Sequence, residues 1–148
     1  MFRKISLLLM VLFALTLTVG VTTATGTATA YVVHGIPGLV VDVYVQGQLF
    51  VKGLAPNTVT GPLTGPAGTA NVVIVPTNGD PNNPALAATL TVNPGQNLTV
   101  VAHLDANGAP TLSVFENDVS KTSNARLVIR HTAAAPAVDL LVFPGAPG

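Results

Sequence analysis

The sequence predicts an all-β chain, folded as a two-layer antiparallel β-sandwich of about 7–9 short strands. Three observations predict it. Short runs rich in Val, Leu and Thr are bounded throughout by Gly, Pro, Asn and Asp. These turn signals recur about every 8–12 residues. No window past the first thirty residues carries the i, i+3, i+4 apolar spacing of an amphipathic helix.

Residues 1–30 read as a signal peptide rather than as part of the fold. Arg3 and Lys4 form a basic start, Ile5–Val19 is almost unbroken apolar sequence, and Ala28-Thr29-Ala30 is an A-x-A cleavage pattern. The apolar run is short of the roughly 20 residues that span a bilayer. No membrane span is therefore expected after cleavage, and the mature chain is expected outside the cell or in its envelope. Cuts after Ala24 or Ala28 also fit the small-residue pattern.

Residues 31–120 read as one sandwich module. Its expected strands are Tyr31–His34, Val40–Gln46, Gln48–Lys52, Val59–Leu63, Ala70–Val75, Leu86–Val92, Asn97–Leu104 and Thr111–Phe115. Gln46-Gly47 joins the second to the third. Pro62 is expected to stop the fourth by removing a ladder donor, and the corner Pro66-Ala67-Gly68-Thr69 then reverses the chain. Leu90 and Val92 are expected to pair with Leu98, Val100 and Ala102 as a hairpin across Asn93-Pro94-Gly95-Gln96. Alternation puts Val41, Val43 and Val45 on the core face, with Asp42 and Tyr44 on the other.

A linker at 121–124 leads to residues 125–148, an incomplete second copy of the first two strands. Ala30–Gly47 (AYVVHGIPGLVVDVYVQG) returns as Ala125–Gly145 (ARLVIRHTAAAPAVDLLVFPG), so that His34 and Asp42 correspond to His131 and Asp139, with Pro37 and Pro136 in the turns between them. The histidine-to-aspartate spacing is eight in both copies. Two more strands, Arg126–Arg130 and Val138–Phe143, are expected there. Two strands alone are marginal, so the segment is expected to fold back on the module's edge, as part of a longer tandem. Donation of its strands to another chain is the competing reading.

These pieces resemble a known bacterial family, the domain-of-unknown-function family 4397. The resemblance rests on Val32–Val45 with its V-V-H-x-x-P and V-D-V-Y-V segments, on Pro66-Ala67-Gly68-Thr69, and on Leu90–Val100. The second copy keeps A-P-A-V-D as Ala135–Asp139. Gly35-Ile36-Pro37-Gly38 departs from the family's usual A-S-P-D, and Asn97-Leu98 stands where tyrosine is usual. The resemblance implies an immunoglobulin-like sandwich, secretion and tandem arrangement. It implies no mechanism.

Composition narrows the function further. Beyond residue 30 stand four basic residues (Lys52, Lys121, Arg126, Arg130) against six acidic ones (Asp42, Asp80, Asp105, Glu116, Asp118, Asp139), a net of −2. No basic patch exists to neutralise phosphates, so nucleic acid is not an expected partner. Cysteine is absent, which removes disulfides, a thiol nucleophile and a thiolate metal site. One sequon occurs, Asn97-Leu98-Thr99.

Candidate sites all have a plainer reading. His34 with Asp42 has the residue types of an oriented imidazole, but its recurrence as His131 and Asp139 without a third partner favours a structural motif. The aspartate is expected to accept hydrogen bonds from the turn between the two strands. His103 is expected at a solvent edge, and three dispersed histidines lack metal-site spacing. Asp105-Ala106-Asn107-Gly108 resembles the front of a calcium loop but lacks the later acidic ligand. Glu116 and Asp118 have no sugar platform beside them, and no serine sits in a G-x-S-x-G elbow. No cofactor and no catalysis are expected. The function that follows is a structural or adhesive surface module, partnered by other envelope or extracellular proteins or glycans. The alternative is an extracellular module that binds a glycan or protein with loops at one end of the sandwich.

Overall fold

The computed structural model describes residues 26–141 and residue 143. Eight strands form: β1 (Thr27–His34), β2 (Val41–Val45), β3 (Gln48–Leu54), β4 (Thr58–Pro66), β5 (Gly68–Pro76), β6 (Leu86–Val92), β7 (Asn97–Leu104) and β8 (Pro110–Glu116). They make two four-stranded sheets, ordered β4-β1-β7-β8 and β3-β2-β5-β6. The fold is the expected all-β sandwich. Every pair is antiparallel except β1 with β7, which is parallel.

The core joins the two layers. Val32 and Ala102 from the first sheet meet Val41, Val43, Leu54, Val72 and Ile74 from the second. Val41 and Val43 thus face inward as the alternation predicts. β2 and β3 are joined by Gln46-Gly47, both at positive φ (51° and 75°), the backbone of a two-residue hairpin turn.

Most of the expected signal peptide lies outside the described residues, but its last residues are in the fold. β1 begins four residues before Tyr31, pairing Thr27 with Pro66 on one side and Ala30 with Leu98 on the other. The Thr-Ala-Thr-Ala stretch read as a leader end alternates like any strand, and Ala28 is buried on the inward side.

Two expectations about connections are corrected. β6 and β7 are not a hairpin; they lie in different sheets. The Asn93–Gln96 turn crosses between layers and bonds to β1, with the Gly95 N–H donating to the Thr27 carbonyl and the Thr29 N–H to that of Gln96, both at 2.8 Å. Pro62 does not stop β4, which runs on to Pro66. β4 is an edge strand, so a missing N–H there costs no ladder bond on its open side. The ladder shifts register around Tyr31, whose ring lies over Gly61. A Cβ on Gly61 would sit 2.8 Å from Tyr31 Cδ1.

The second copy forms no strands among its described residues. Leu127, Val128, Ile129, Val138, Leu140, Leu141 and Phe143 are all exposed. The cause is visible in the first copy, where β1 and β2 are each central in a sheet, flanked on both sides. Among the described residues the tail has no such neighbours, and two strands alone do not offset their ordering entropy. It does return to the module, through two arginines rather than a new strand. Arg126 pairs with Asp118 at 3.0 Å. The Arg130 guanidinium lies 4.7 Å from the Phe115 ring centroid and donates to Asn117 Oδ1 at 3.2 Å.

Candidate functional site

His34 closes β1 and Asp42 lies one residue into β2, so both belong to the same end of the sandwich. Each side chain is only 2 % exposed. They serve opposite faces. His34 shares the inward face of β1 with Ala28, Ala30 and Val32, whereas Asp42 points away from Val41 and Val43.

Asp42 is buried on its outer face because the β5–β6 connection folds over it. Its Oδ1 accepts from the Gly53 N–H at 2.8 Å and the Thr77 hydroxyl at 3.2 Å, and its Oδ2 from the Asn78 N–H at 3.0 Å. The donors therefore come from β3 and from the loop after β5, and not from the β1–β2 turn that the sequence pointed to. Gly53 reaches the carboxylate because β3 bulges there, with φ at 66° in the left-handed region that glycine tolerates. Burial pushes the Asp42 carboxyl up. The Asn78 and Gly53 N–H groups, the Thr77 hydroxyl and nearby Lys52 outweigh it and hold the pKa below the usual 3.8.

The β1–β2 turn is held instead by the histidine. His34 Nε2 lies 2.8 Å from the Leu39 carbonyl. A carbonyl only accepts, so Nε2 carries the proton. Nδ1 is buried without a hydrogen-bond partner. His131 repeats the contact, with Nε2 3.1 Å from the Pro136 carbonyl. Asp139 is exposed, unlike Asp42. Pro37 and Pro136 both lie in these turns, Pro136 through its carbonyl.

A pairing that the sequence reading missed lies in the β7–β8 ladder. His103 Nδ1 is 2.9 Å from the Leu104 carbonyl and its Nε2 is 2.8 Å from Ser113 Oγ. The carbonyl fixes the proton on Nδ1, so Ser113 donates to Nε2. These are the donor and acceptor roles of a serine–histidine pair. The signal that could have found it is the register: the Asp105–Gly108 turn sets His103 opposite Thr111, diagonal to Ser113. That turn is closed by Asp105 itself, whose Oδ1 accepts from Asn107 and Ala109 N–H groups at 2.8 and 2.9 Å.

Other polar residues are occupied by their neighbours. Glu116 accepts from Gln96. Asn117 bridges both polar side chains of the sequon, donating to Asn97 Oδ1 and accepting from Thr99. Among the described residues no three of His, Asp and Glu gather as metal ligands. Among those residues, too, no helix is long and apolar enough to cross a membrane.

No curated protein matches the chain. A family profile described as Domain of unknown function (DUF4397) matches residues 28–141, which span β1 to β8, the His34–Asp42 end and the His131 turn. That match covers most of the sequence, and the chain belongs to this family.

Proposed function

We propose that this chain is an exported β-sandwich module with a structural or adhesive role, joined to other β-modules of the envelope or extracellular layer through its C-terminal repeat. The tail carries this reading. Its turn is already closed by His131, while the apolar residues on both sides stay exposed. An apolar segment with free backbone donors and acceptors is a template for strand addition. Edge strands β3, β4, β6 and β8 of a second copy offer the same unpaired groups. A structural role also accords with Asp42, whose two oxygens are both taken by backbone and hydroxyl donors that fix loops.

Sedimentation of the purified full chain over rising concentration tests the proposal, beside the double variant Leu127→Asp/Leu140→Asp. Both sites are exposed, so the variant keeps the melting temperature of the parent. The full chain is expected to associate and the variant to stay monomeric. A parent that remains monomeric throughout, or a variant that associates equally, overturns the reading.

A further inference from the structure

At the end of the sandwich opposite His34 and Asp42, the space between the sheets is not filled. An apolar cavity of about 300 Å³ opens there. Its cause is the choice of small residues where the layers face each other: Ala28 and Ala30 on β1, Gly65 on β4 and Ala70 on β5. Larger side chains at these positions would narrow the gap, whose inner wall is formed by Val32, Val72 and Ile74 further along the same strands.

We propose that this cavity binds a single linear alkyl chain, the hydrocarbon tail of a fatty acid or lipid, with its polar head left at the mouth. Three features carry the assignment. The volume lies at the lower end of the ~300–1,000 Å³ typical of small-molecule pockets. The walls are almost wholly aliphatic and include no charged side chain. Apolar cavities of this kind stay dry and take apolar guests. Among the described residues, the polar side chains lining it are Gln46 and Gln48. Gln46 spends its amide on the Thr69 carbonyl and on Asn71. A sugar or nucleotide would therefore bury polar groups without partners.

Shape selects a chain over a ring. The lining runs from Ala28 to Val32 along β1 and from Ala70 to Ile74 along β5. Four residue steps of a strand are about 13 Å, a length that suits an extended alkyl chain. None of the described tail residues lines the cavity.

The test is an NMR titration of the purified full chain with decanoate below its micelle concentration, with phosphatidylcholine vesicle flotation as a second arm. Saturable shifts are expected at the methyls of Ala30, Val45 and Leu90. Ala70→Leu fills the cavity. It should bind decanoate about tenfold more weakly, the worth of roughly two buried methylenes, while melting no lower than the parent. Ala28→Val provides the same readout if Ala70→Leu does not fold. Decanoate binding without flotation identifies a free chain as the source, and flotation lost in the filled variants identifies a lipid tail. Absence of both binding and flotation in the parent, or undiminished binding in a folded, filled variant, overturns the site.

Discussion

His34 and His131 make the same contact, each imidazole Nε2 reaching the carbonyl five residues ahead, that of Leu39 in one copy and Pro136 in the other. The first does so between two paired strands, the second in a segment whose described residues form no strand. The turn is therefore encoded locally and does not need the sandwich. The aspartate behaves differently. Asp42 takes its donors from Gly53, Thr77 and Asn78, which lie 11 to 36 residues away, while Asp139 is exposed.

That contrast predicts unequal costs for one substitution. Asp42→Ala strips an acceptor from two backbone N–H groups and a hydroxyl at a buried position, and should destabilise the module by about 3 kcal/mol or more. Asp139→Ala changes an exposed side chain and should stay within about 0.5 kcal/mol. Urea unfolding of the two variants checks this. Equal effects would mean that the aspartate acts locally in both copies.

The same residues show how much the sequence revealed. Strand positions were legible for β6 and β7, because alternation and bounding turns coincide there, and the repeat marked the histidine turn. What sequence could not show was which strands neighbour one another. Leu90–Val92 and Leu98–Ala102 look like a hairpin across Asn93–Gln96, yet β1 takes the ladder position beside β7 that a hairpin would need. The Asp42 donors and the Ser113–His103 bond failed for that same reason, since each depends on register between elements. In the tail the sequence pattern is that of strands, but the described residues there form none, because a strand needs flanking partners and these residues pair with none.

Acid should weaken the module partly through Asp42. Its folded pKa lies below the usual 3.8, so the unfolded chain binds the proton more tightly. The carboxylate's stabilising contribution is complete above that usual value and is lost as pH falls beneath it, through the folded pKa. Stability curves from neutral pH to below the usual aspartate range should fall less steeply in Asp42→Asn than in the parent. Asp118, also held low and exposed at the surface, is present in both proteins and leaves the comparison intact. Parallel curves would show that Asp42 titrates alike in both states.

Ser113 should not react as a nucleophile. Its hydroxyl points to His103 Nε2 with good geometry, but Nδ1 is held by the backbone carbonyl of Leu104 and not by a carboxylate. Both residues belong to a regular antiparallel ladder. A catalytic serine also needs preorganised donors for an oxyanion, and the N–H groups that β8 turns toward β7 are already taken by the ladder. A fluorophosphonate probe is expected to leave the folded protein unlabelled. Ser113→Ala should cost about 1 kcal/mol, the worth of one hydrogen bond. Stoichiometric labelling at Ser113 would make the pair an active site and overturn the non-catalytic reading.

Strand β1 sets where a leader can be removed. Cleavage after Ala30 would delete half of β1, including Thr27 and Thr29, whose backbones bond to the Asn93–Gln96 turn, and the buried Ala28. It would also uncover Pro66 on β4 and Asn97 on β7, the ladder partners of those residues. A cut after Ala24 leaves the strand whole and still follows small residues, Thr22 and Ala24. On the proposed export, N-terminal sequencing of the processed chain is therefore expected to begin at Thr25. A start at Tyr31 would require β4 and β7 to find another partner for the vacated half of the ladder, and a chain made with that start should melt well below one beginning at Thr25.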